Sequence, residues 1–151
     1  MSASLSAHPK IYLYKRIVQA KLFMDSNFRE NIDLDNISGE ASFSKFHFIR
    51  LFKKIYGKTP HQYLIALRIE KATEKLKEGL NVTDACCEVG FDSLTSFSGL
   101  FKRKTGLAPY EYARQQAMTR ERINASPLNY VPGCFAEKKG WRKKSNFEEA
   151  G

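Results

Sequence analysis

The chain has 151 residues, enough for one ordinary domain or for two very small ones on a shared connector. Hydrophobic residues make up 42% of it, which excludes wholesale disorder. Lys and Arg outnumber Asp and Glu by 25 to 16, and the resulting charge of +9 favours a polyanionic partner without choosing between nucleic acid and an anionic membrane surface.

The opening segment, MSASLSAHPKIYLYKR, lacks the apolar run of a signal peptide. No stretch approaches membrane-spanning length, so a cytoplasmic protein with no membrane partner is expected. A first helix is expected over 9–28, where Tyr14, Ile17, Ala20, Met24 and Phe28 recur at three- and four-residue steps. After a turn through 30–33, Leu34, Ile37 and Ala41 mark a short helix over 34–41. Ser44 is placed to cap a helix over 45–56, because its hydroxyl can accept a free amide of the first turn. Gly57 ends that helix and Pro60 opens the next, expected over 60–78 with Ile65, Ile69, Ala72 and Leu76 on one face.

Gly79 stops this long helix. A second short helix follows over 82–89, Gly90 turns the chain, and Ser93 caps a helix over 94–105 that Gly106 ends. Pro109 opens a last helix reaching Arg114 or beyond. From about 117 the pattern weakens among Pro127, Pro132, Gly133 and Gly140, and a basic, partly flexible tail is expected over 117–151. No strand alternation occurs anywhere, so the fold class is all-α. The neighbouring Cys86 and Cys87 would point about 100° apart on a helix, unsuited to bridging each other, and with Cys134 they are expected to be reduced.

One stretch occurs twice. FIRLFKKIYGKTPHQY, residues 48–63, returns forty-nine residues later as FSGLFKRKTGLAPYEY, residues 97–112. Phe48 aligns with Phe97, Phe52 with Phe101, Gly57 with Gly106, Pro60 with Pro109 and Tyr63 with Tyr112. Two units are fewer than a solenoid array needs. A duplicated bundle and a pair of helix-turn-helix units remain. The second is favoured, because in each copy a short helix shortly precedes a serine-capped longer one with an apolar face and a basic end. Free amides at a helix N-terminus and nearby cations both suit phosphate oxygens. The connecting helix, about eighteen residues at about 1.5 Å each, spans roughly 27 Å. With its flanking turns it can hold two reading helices about 34 Å apart, one turn of B-DNA, and a monomer suffices.

With these features in place, the chain resembles the DNA-binding domain of the AraC/XylS family of bacterial transcription regulators. The resemblance rests on IDLDNISGEASFSKFHFIRLFKKIYGKTPHQYL, the linker pattern RIEKATEKL, and VTDACCEVGFDSLTSFSGLFKRKTGLAPYEY, and covers roughly two thirds of the chain. It implies a seven-helix domain over 10–116, with helix-turn-helix units at about 34–56 and 82–105 joined by the long helix over 60–78. It also implies sequence-specific promoter binding, commonly activation through contact with RNA polymerase, and no cofactor. Many relatives carry a preceding sensory or dimerisation domain; only about thirty residues precede the first unit here, so a stand-alone regulator is expected. A DNA-repair relative adds a zinc-bound cysteine methyl acceptor, a chemistry not expected from Cys134 alone.

With Phe48, Leu51, Phe52 and Ile55 turned inward, the outward positions of the first unit are Lys45, Phe46, Ile49 and Arg50 as base readers and Lys53 and Lys54 as phosphate contacts. Arg50 leads, because its planar fork matches guanine O6 and N7. Phe46 and Ile49 either touch a thymine methyl or lie under the neighbouring helix. His47 is read as a packing or phosphate-contacting residue. The equivalent readers of the second unit are Leu94, Thr95, Ser98 and Gly99, a set with little reach, so phosphate contacts and DNA shape are expected to count for more there. Ser44, Thr83, Ser93, Lys102 and Arg103 complete the phosphate candidates. Arg68, an arginine common in the family's linker helix, is assigned a structural ion pair. In the tail, Lys138, Lys139, Trp141, Arg142, Lys143 and Lys144 either clamp flanking phosphates, dock on a partner or merely solubilise.

The competing readings are a weakly selective architectural nucleic-acid-binding protein and a helical adaptor for an acidic protein. An enzyme is not expected, since no metal-ligand cluster, phosphate loop or nucleophile–base pair stands out.

Overall fold

A computed structural model describes residues 9–33, 35 and 44–140. Among them are seven α-helices, one 3-10 turn and no strand. The helices are α1 (Pro9–Asn27), α2 (Lys45–Tyr56), α3 (Pro60–Glu78), α4 (Val82–Glu88), α5 (Leu94–Thr105), α6 (Pro109–Ala125) and α7 (Gly133–Lys138), with the 3-10 turn at Pro127–Tyr130. The short helix expected over 34–41 lies outside the described residues, Asp35 excepted, as do Trp141, Arg142, Lys143 and Lys144.

Side-chain caps set the starts of α2, α3, α4 and α5. Ser44 accepts the His47 amide at 3.2 Å, Asn81 the Asp84 amide at 2.8 Å and Ser93 the Ser96 amide at 3.3 Å. Thr59 and Gln62 form a reciprocal capping box ahead of α3. Equivalent glycines set the ends of the two repeated helices. Gly57 and Gly106 adopt φ of 74° and 87°, and each amide closes onto a lysine carbonyl, Lys53 or Lys102, at 2.8 Å.

The repeat encodes a packing unit. In the first copy Phe48 and Phe52 are fully buried, and the Phe52 ring meets Tyr63 edge-on at 5.6 Å and 72°. In the second, Phe97 and Phe101 are fully buried, and Phe101 meets Tyr112 edge-on at 5.4 Å and 71°. The glycine stop and the proline start between phenylalanine and tyrosine fold the chain back so that these rings meet. Each such pair adds about 0.5–1.5 kcal/mol beyond its area.

Two cores result. The first gathers Ile17, Ala20 and Met24 of α1, Phe48 and Phe52 of α2, and Leu64 of α3. The second gathers Ile69, Ala72 and Leu76 of α3 with Ala85, Cys86, Val89, Phe97 and Phe101. Helix α3 therefore serves both units with different faces. At about 100° per residue, its buried Pro60 and Leu64 lie roughly 130° around the helix from Ile69, Ala72 and Leu76. Phe28 packs against both cores.

Three expectations change. Tyr14 is 39% exposed, because it sits about 60° from Ile17 towards an outer stripe of Ile11, Val18 and Leu22. Ile55, expected inside, is 38% exposed, and its neighbour Tyr56 packs against the first core instead. The last helix runs on past 117 to Ala125 before the chain breaks into shorter turns. A run of good helix formers around Gln115–Arg122 favours this, and the Arg120 Nη1 donates to the Lys77 carbonyl at the end of α3.

Candidate nucleic-acid interface

Helices α2 and α5 present equivalent faces. With Phe48 or Phe97 taken as pointing inward, a step of about 100° per residue turns Phe46, Arg50 and Lys53 straight outward on α2. The same positions of α5 are Thr95, Gly99 and Lys102. All six are exposed, Phe46 to 77%. Phe46 therefore does not lie under a neighbouring helix. Ile49 and its equivalent Ser98 stand at the edge of this arc and are half-buried, Ile49 against the first core. Lys45 and Leu94 flank the arc on the same side and are exposed; Lys45 is ion-paired with Asp35.

The charges lie on the outer faces and ends of these helices. Lys53 and Lys54 are exposed in the last turn of α2, as are Lys102, Arg103 and Lys104 in that of α5. None of these, nor Arg50, forms a salt bridge among the described residues. Lys104 had no place among the sequence candidates, although it stands in the same basic run as Lys102 and Arg103. Ser44 and Ser93 are exposed, with their hydroxyl oxygens accepting helix amides. Thr83 is exposed in the first turn of α4. His47 is half-buried.

Gly99 differs from its counterpart Arg50 in lacking any side chain, and a Cβ added there would meet nothing within 4 Å. Helix packing therefore leaves position 99 free to carry a side chain. Arg68 is not on this surface. Its Nε donates to the Phe28 carbonyl at 2.7 Å and its Nη2 to the Glu30 carbonyl at 2.8 Å, a structural role made with backbone oxygens in place of the expected ion pair. Burial lowers the Arg68 guanidinium from its ordinary range, against a smaller opposing influence of Asp92.

Among the described residues, no three His, Cys, Asp or Glu side chains gather to hold a metal ion. No described helix is long and apolar enough to cross a membrane.

A helix-turn-helix domain family matches residues 37–115, just over half of the chain. The chain belongs to the AraC/XylS family of helix-turn-helix transcription regulators. It is similar to an AraC-type regulator from Chromobacterium violaceum, with a TM-score of 0.61 and 26% identity over 69% of this chain and 94% of that one. It is equally similar to the DNA-binding domain of AdpA, solved in complex with a target DNA, with a TM-score of 0.62 and 26% identity over 70% and 94%. In sequence it is 31% identical over 97 residues to the transcriptional activator AarP of Providencia stuartii, covering 64% of this chain and 72% of that one. Three further relatives, two of them described as HTH-type transcriptional regulators and one as an operon regulatory protein, are longer, and the chain spans 58%, 25% and 31% of their lengths. The matched residues 37–115 take in α2–α5 whole and the start of α6.

Proposed function

We propose that this chain binds double-stranded promoter DNA sequence-specifically, reading two adjacent major-groove segments with α2 and α5. The observation that carries the reading is the duplicated outer face: two helices on equivalent aromatic supports, each with an exposed arc and a basic end. The AdpA domain's complex with DNA supports it.

On α2, Arg50 reads guanine through O6 and N7, while Phe46, with Ile49 beside it, contacts a thymine methyl. Lys45 exchanges its Asp35 partner for DNA. On α5, Leu94, Thr95, Ser98 and Gly99 read less, and DNA shape contributes more. Lys53, Lys54, Lys102 and Arg103 hold phosphates, together with the helix starts at Ser44, Thr83 and Ser93. The protein works in the cytoplasm at the nucleoid as a monomeric activator that contacts RNA polymerase, and it is not an enzyme. AarP's description as an activator supports the direction of control. The pair of units in one chain supports the monomer.

Selection of binding sites from random duplex DNA tests the reading. Two short information blocks about one helical turn apart are expected. Gly99 favours one rival, a weakly selective architectural protein, and a flat selection profile would establish that rival instead.

A further inference from the structure

We infer that Arg68 is a positioning residue that fixes the spacing between the two DNA segments the protein accepts. This rests on the two-segment reading above and adds to it what holds the reading helices in register.

Arg68 stands at the seam of the molecule. On α3 it lies about 40° around from Leu64, between the face that enters the first core and the face that enters the second. Its two nitrogens grip the Phe28 and Glu30 carbonyls, in the turn that ends α1 of the first unit. Its guanidinium carbon lies 5.8 Å from the centre of the Phe91 ring of the second unit. One side chain thus ties three elements, and it is half-buried.

The second unit also presses directly on the same turn. Gly90 has a φ of 91°, and a Cβ there would lie 2.6 Å from the Arg29 carbonyl oxygen. Only a glycine lets the α4–α5 turn dock this closely. Phe28, one residue before Arg29, packs into both cores. The helix α3 alone leaves two units free to twist and bend about its axis. The Arg68 grip and the Gly90 contact remove that freedom, because the α1 turn is shared by both units and is held between them.

DNA reads such freedom directly. Inserting one base pair between two segments rotates the second by about 35° and moves it about 3.4 Å. A rigid seam rejects the altered site, and a loosened seam accepts it.

The test measures affinity for duplexes carrying the two selected segments at the preferred spacing and with one base pair added or removed. Each titration uses the concentration of active protein found by stoichiometric binding. Wild-type protein should discriminate sharply. Arg68→Ala should lower the discrimination ratio by about tenfold or more, the value of a charged hydrogen-bonding grip. Arg68→Lys, which retains the charge but not the two-pronged grip, should fall between, and it serves where the alanine variant fails to fold. Gly90→Ala, which disturbs the seam without touching Arg68, should also shift the preferred spacing.

A residue needed only for folding would leave the ratio unchanged once active protein is counted, and that result in Arg68→Ala or Arg68→Lys would overturn the inference while leaving the two-segment reading intact. A wild-type protein indifferent to spacing would overturn the two-segment reading and the role of Arg68 with it.

Discussion

At the scale of single residues, the two repeated helices differ most where they should matter most. Arg50 projects from α2, and its counterpart on α5 is Gly99, over which there is open space. Arg50→Ala should cost about 1–3 kcal/mol at the selected site and relax one base position, measured by competition among single-base variants. An equal loss on every sequence would make Arg50 a phosphate contact. Gly99→Ala should raise thermal stability by about 0.5–1 kcal/mol, because alanine suits a helix interior and its methyl meets no neighbour. Gly99→Arg should sharpen one position of the second DNA segment, and an unchanged selection profile would show that this face of α5 does not approach bases.

At the scale of elements, helix α1 is fastened to α3 by polar contacts as well as by the first core. The Tyr63 hydroxyl donates to Asp25 Oδ1 at 2.6 Å, and Lys21 pairs with the other oxygen of Asp25 at 2.6 Å. Burial, then the hydrogen bond to Asp25, pushes the Tyr63 phenol up to about 12 from 10.0. A phenol raised in the folded state contributes stability that is fully present below its unfolded value and disappears as pH climbs through about 12. The urea midpoint should therefore fall between pH 10 and 12 more steeply in the wild type than in Tyr63→Phe, and parallel curves would contradict this. At the other end of α3, Arg120 of α6 donates to the Lys77 carbonyl. Arg120→Ala should cost about 1–2 kcal/mol in urea unfolding.

Much at this scale was legible in the sequence. Ser44, Ser93, Gly57, Gly79 and Gly106 mark helix ends by local chemistry, which needs no knowledge of the fold. Ile17, Ala20 and Met24 follow a periodicity that survives packing. What escaped depends on contacts distant in sequence. The carbonyl partners of Arg68 lie forty and thirty-eight residues away. Of the two buried faces of α3, the sequence reading found the one with Ile65, Ile69, Ala72 and Leu76 and missed the one with Leu64, which enters the other core. The extension of α6 to Ala125 is held in part through Arg120, whose partner is forty-three residues earlier. For the interface, exposed Arg50, Lys53 and Lys102 were legible from the phenylalanine spacing alone; for Phe46 and Ile49 the spacing left exposure and burial open, and the half-burial of Ser98 was not foreseen.

At the scale of the whole molecule, a charge of +9 and two basic helix ends imply binding driven by counterion release. If six phosphates are neutralised, log affinity should fall against log salt with a slope of about −5. A near-zero slope would remove the electrostatic part of the account. On the proposed reading the duplication has a plain reason: it would give one chain two reading helices on the same aromatic support, joined by a helix whose two faces serve both cores. The most direct test of that claim is guanine N7 methylation interference on the selected site, since N7 lies in the major groove. Interfering guanines should form two clusters centred about 10–10.5 base pairs apart, reached from one side of the duplex. A single cluster, or a selected site at which no guanine interferes, would contradict it.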